Sequence, residues 1–73
     1  MNYHQKEAAK WKQAIKAQVR KCSFNPGMWY IQLHGMYKVQ TLKTQDNRNK
    51  LFTTYEAAWD YIKLNRKDLT PPK

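Results

Sequence analysis

The side chains best suited to chemistry in this 73-residue chain are few and scattered. His4 and His34 have no partner at a motif spacing, and His34 directly precedes Gly35, where a hairpin tip is expected. The five acids, Glu7, Asp46, Glu56, Asp60 and Asp68, are dispersed, and Glu56 is expected to help cap a helix. General acid–base work needs a positioned pair with tuned protonation, and no such pair is visible. One cysteine and two distant histidines fall short of a metal-ligand set. There is no glycine-rich phosphate loop and no nucleophile motif. We therefore expect no catalytic residue, no metal and no cofactor: the chain is not read as an enzyme. Cys22, the single cysteine, excludes an internal disulfide and suits a small buried hydrophobe.

Binding chemistry is better supplied. Fourteen Lys and Arg stand against five acids, giving a formal net charge of +9. A field of that sign draws phosphate backbones, anionic lipid surfaces or acidic proteins. Residues 1–24 alone hold six bases against one acid, Glu7. Within that stretch Lys6, Lys10, Lys16 and Arg20 form a candidate row for phosphate contacts.

These side chains need a scaffold, and the chain has material for one. Three Trp, five Tyr and two Phe argue against disorder and for one small aromatic-rich core. Ala8, Trp11, Ile15, Val19 and Cys22 recur at helical spacing, which predicts an amphipathic helix over 4–22. Asn25-Pro26-Gly27 is a strong turn signal. Residues 28–34 then alternate as a strand, and 36–44 and 50–53 are expected to return as second and third strands. Thr53 and Glu56 look like a capping box opening a helix over 54–67, with Ala58, Trp59 and Ile62 buried. Residues 68–73 are expected as a frayed tail. The fold class is α+β, in one domain over 1–73: N-terminal helix, three-stranded antiparallel sheet, and C-terminal helix packed on the sheet.

Register decides which residues the sheet offers to a partner, because a one-residue slip exchanges its faces. Placing Tyr37, Val39 and Thr41 beside Trp29, Ile31 and Leu33 makes the more apolar core face. The opposite face then carries Met28, Tyr30, Gln32, Lys38, Gln40 and Leu42, with Lys43, Arg48 and Lys50 towards the following loop. In that arrangement Lys38, Lys43, Arg48 and Lys50 meet phosphates, and Tyr30, Gln32 and Gln40 face the bases. If the N-terminal helix covers this face instead, the basic side of the helix is the contact surface.

Trp29-Tyr30-Ile31, Tyr37-Lys38-Val39 and Leu51-Phe52-Thr53-Thr54-Tyr55-Glu56-Ala57-Ala58 together resemble the AP2-like DNA-binding domains of plant factors and of phage or integron-type integrases. The resemblance covers 28–65, with Phe52, Thr54, Glu56 and Ala58 at the family's strand-to-helix spacing. It implies a three-stranded sheet on one C-terminal helix, laid in the DNA major groove. The chain departs from the family in lacking a glycine before Phe52, in carrying Lys and Gln where the family has Arg, and in its additional N-terminal helix.

The expected role is that of a small DNA-binding accessory or regulatory factor of a phage or mobile element. RNA or single-stranded nucleic acid is the close variant as partner. The rival is an inhibitor or adaptor that fills an acidic or nucleic-acid-binding groove of a host enzyme, with Tyr30 and Tyr37 as anchors. No run approaches the ~20 apolar residues that span a bilayer, and the start lacks the apolar core of a signal peptide. Cytoplasmic action without a membrane partner is therefore expected, as a monomer or small homo-oligomer.

Overall fold

Ala, Gln, Glu and Lys, all good helix formers, dominate the N-terminal segment, and it is helical only over Tyr3–Gln13 (α1). In the computed structural model, which describes residues 3–70, the chain turns at Ala14 and runs directly into a strand, Lys16–Lys21 (β1). The helix expected over 4–22 is thus two elements. Lys-Ala-Gln-Val-Arg-Lys alternates as strongly as it matches helical spacing, and long-range pairing decides between the two periods. Ala17 is buried and Val19 packs on the core, whereas Ile15, which the helical reading buries, is 65% exposed.

Asn25-Pro26-Gly27 therefore joins two strands. Gly27 adopts φ 85°, and the Met28 N–H donates to Asn25 O at 3.0 Å. Trp29–His34 (β2) pairs antiparallel with β1, setting Val19 opposite Ile31 and Ala17 opposite Leu33. Val39–Thr41 (β3) pairs with the other edge of β2, giving a meander of order β1-β2-β3. At the turn between them, a Cβ on Gly35 would lie 3.3 Å from Gln13 O, so glycine there lets the hairpin approach the end of α1.

The register is the opposite of the expected one. Gln40 stands beside Leu33, Thr41 beside Gln32 and Val39 beside His34. The reason is Leu42: its N–H donates to Ile31 O at 3.0 Å and its side chain is fully buried, while Val39 stays 52% exposed. One large aliphatic deep in the core outweighs a β-branched residue near the hairpin end. The strand expected over 36–44 shortens accordingly. The one expected over 50–53 is a single bridge, in which Phe52 exchanges two 2.8 Å hydrogen bonds with Trp29.

The last helix spans Tyr55–Asn65 (α2) and is capped by Thr54, whose hydroxyl accepts the Ala57 N–H at 3.0 Å. The N-cap is thus Thr54 and not the expected Thr53, and with Ala57 at the third helical position the cap is a single bond in place of the expected Thr53–Glu56 pair. Glu56 still places a negative charge in the first turn, where the helix dipole favours it. A 3₁₀ turn, Lys67–Leu69, follows α2, and Leu69 packs against the core, so the expected tail is structured at least that far. The remainder of that tail, 71–73, lies outside the described residues.

Trp11, Ala14, Ala17, Ile31, Leu33, Leu42, Ala58 and Ile62 form the core. Every strand residue in it comes from one face of the sheet, and α1 and α2 both supply residues to it. Both helices therefore pack on that face and leave the other open. Two polar ties hold α1 in place. Arg66 donates to Trp11 O at 2.6 Å, and Lys50 Nζ meets Glu7 Oε1 at 2.7 Å and Tyr61 Oη at 2.9 Å. Among the described residues no helix is long and apolar enough to cross a membrane.

Candidate nucleic-acid interface

Alternation along the three strands sends every second side chain to the open face, and the register sets them in rows. Lys16, His34 and Val39 form the first row; Gln18, Gln32 and Thr41 form the second; Arg20 and Tyr30 form the third. Lys43 follows just beyond the end of β3. The strands contain no Asp or Glu, so nothing on this face opposes an anion.

A polar network orders the β1 side. Gln18 Oε1 lies 3.1 Å from Arg20 Nη2 and 3.1 Å from His34 Nε2. With Arg20 donating to that oxygen, His34 donates from its Nε2–H, and the two fill the oxygen's lone pairs. The Gln18 amide NH₂ keeps its two donors for a partner. Gln18, Tyr30, Gln32, His34 and Thr41 are half-buried, while Lys16 and Arg20 are exposed at the edge strand.

The residues expected to bind are distributed unevenly. Tyr30 and Gln32 lie on the open face as expected. Lys16 and Arg20, expected on a helix, join them there because 16–21 is a strand. Gln40 is on the core face, with its amide on Gln13 Oε1 at 3.3 Å. Lys38 is exposed in the hairpin loop. Arg48 is in the loop after β3 and pairs with Asp46 at 3.4 Å. Lys50 is withdrawn from solvent, its side chain 20% exposed against a 15% exposed Glu7. Burial pulls its ammonium down, yet hydrogen bonds to Glu7, Tyr3 and Tyr61 hold it well above the ordinary lysine range. Lys50 is therefore a structural cation and offers little to a phosphate.

Lys6 and Lys10 lie one turn apart on α1. Lys10 Nζ donates to Thr41 O at 3.3 Å, which brings it to the outer edge of β3. Among the described residues the ion-paired cations are Arg48, Lys50 and Arg66, whereas Lys6, Lys10, Lys16, Arg20 and Lys43 have no carboxylate within salt-bridge distance. Gln18, His34 and Thr41 are the open-face polar members the sequence reading did not offer as contacts, Thr41 because the expected register turned it to the core. The signal was available in Lys16-Ala17-Gln18-Val19-Arg20, whose period of two matches that of Trp29–His34 across the turn.

The chain matches no protein-family model, no curated protein and no solved structure.

Proposed function

We propose that this protein binds nucleic acid, duplex DNA first, by laying the open face of its sheet against it, and that it acts by binding and not by catalysis. The observation that carries this reading is the acid-free polar face made by Lys16, Gln18, Arg20, Tyr30, Gln32, His34 and Thr41, left uncovered by both helices. An ordinary solvated sheet face mixes charges of both signs; this one has cations along its edge strand and amides at its centre. Three strands and three rows make a patch of roughly 10 by 14 Å, on the scale of the ~12 Å major groove. Lys16 and Arg20 suit backbone phosphates, and Gln18 and Gln32 offer amides to base edges.

The AP2-like resemblance supports the same mode of docking, although only two of its strands, β2 and β3, are in the sheet: the third is Lys16–Lys21, and Phe52 makes a single bridge to Trp29. It also supports a role as an accessory or regulatory factor of a phage or mobile element. A single buried cysteine suits action in a reducing cytoplasm. The test is amide chemical-shift mapping with a short DNA duplex. Shifts gathered on β1, β2 and β3, with α2 unmoved, are expected; shifts confined to the helices would overturn the docking face.

One observation favours a second reading, a protein partner that buries apolar surface, with acidity expected of it only from the net charge of +9. Ile15, Met36, Tyr37 and Val39 are 65%, 74%, 94% and 52% exposed and share the hairpin end of the sheet. Shifts confined to these four on adding an acidic host enzyme, with none on adding DNA, would select it.

A further inference from the structure

Between α1 and the loop after β3 lies a cleft of about 580 Å³, lined by Tyr3, Lys6, Lys10, Lys43, Thr44 and Asn47. Its three ammonium groups converge from two elements. Lys10 is anchored on the Thr41 carbonyl, and Lys43 Nζ donates to Asn49 Oδ1 at 2.9 Å. Each ammonium has three donors, so both keep hydrogen bonds to give. Glu7 also reaches the cleft, but its two oxygens are engaged, one by Lys50 at 2.7 Å and the other by the Tyr61 hydroxyl at 2.9 Å. Lys10 is held below the ordinary lysine range, first by partial burial and then by Lys43, with Lys6 adding and Glu7 opposing. Folding has brought three like charges together at this cleft, and the one carboxylate that lines it, Glu7, is already engaged by Lys50 and Tyr61, so the crowding costs stability unless an anion offsets it.

We infer that this cleft is a phosphodiester-binding site, in which Lys6, Lys10 and Lys43 clamp one backbone phosphate of the nucleic acid that crosses the sheet. The inference rests on the proposed function and adds a place where the strand leaves the β3 edge. Thr41 joins the two surfaces: its side chain is on the open face, and its carbonyl holds Lys10.

The test combines duplex-DNA titration over a salt series with direct titration of inorganic phosphate followed by amide shifts. Lys6→Gln and Lys43→Gln change exposed or half-exposed side chains, and thermal melts confirm that each variant is folded. Their combination is expected to lower the log–log salt slope by about 0.9, the contribution of one phosphate, and to weaken binding roughly tenfold near 0.1 M salt, with each single variant losing part of both. Phosphate alone is expected to shift the amides of Lys10, Lys43 and Thr44. Unchanged slopes in both variants, with wild-type DNA binding intact, would overturn the cleft and leave the open face standing. Saturable phosphate shifts without any DNA binding would support an anion site and overturn the nucleic-acid reading.

Discussion

Gln18 Oε1 lies 3.1 Å from His34 Nε2, across the pairing of β1 with β2, and accepts from Arg20 as well. A glutamine whose carbonyl is occupied on both sides presents only its NH₂ to a partner, in a fixed orientation. This separates the open face into an edge that supplies charge and a centre that supplies direction.

That division predicts two kinds of loss. Gln18→Ala and Gln32→Ala should reduce discrimination between DNA sequences by about 1–3 kcal/mol while leaving the salt slope nearly unchanged. Lys16→Ala should weaken all sequences alike and lower the slope by about 0.9. Competition titrations with two unrelated duplexes at several salt concentrations distinguish the patterns. A slope change in the glutamine variants would contradict these roles.

The register is tested through the core. Leu42→Ala should destabilise the fold by about 3 kcal/mol, because a fully buried side chain leaves a cavity. Val39→Ala should cost about 0.5 kcal/mol or less, since it removes exposed atoms. Urea unfolding midpoints report both, and equal costs would mean that the faces are assigned wrongly.

Glu7→Gln should lower stability by about 2 kcal/mol, as it leaves a largely buried Lys50 without its charge partner. Lys50→Met should destabilise the fold too, yet keep the wild-type salt slope for DNA. A reduced slope in folded Lys50→Met protein would restore this lysine to the interface.

The same node sets an alkaline limit. Burial, with Glu7 adding and Lys50 opposing, raises the Tyr61 hydroxyl above its ordinary 10.0, and Lys50 is raised above its ordinary 10.5. Both groups hold their protons more tightly folded than unfolded. Their contribution is therefore complete below about pH 10 and lost as pH climbs through the folded values. Melting temperature should fall above about pH 10, and Glu7→Gln should flatten that fall. An equal fall in the variant would show that the node does not set the limit.

Much of this architecture was legible in the residues. The turn at Asn25-Pro26-Gly27, the strand at Trp29–His34 and the helix around Ala58 and Ile62 follow from local chemistry, and they appear where expected. Two features did not follow. Residues 14–22 satisfy helical and strand periods at once, and only pairing with β2, a non-local contact, decides between them. The register of β3 turns on Leu42, which lies past the last residue of the strand itself. Those two points also moved the site. Lys16 and Arg20 reached the sheet, Gln40 left the open face, and Lys50 became part of the scaffold. A pattern of surface charges names the candidates well, but which face each occupies depends on pairings between distant segments.

The most direct test of the account is fluorescence-anisotropy titration of duplex DNA with wild-type protein and with Lys16→Ala/Arg20→Ala, each over a salt series. We predict micromolar or tighter wild-type binding at physiological salt, with a steep inverse salt dependence. The double variant should fold normally and lose nearly two units of slope. Wild-type protein that fails to bind, or a variant whose slope is unchanged, would contradict the assignment of the open sheet face to nucleic acid.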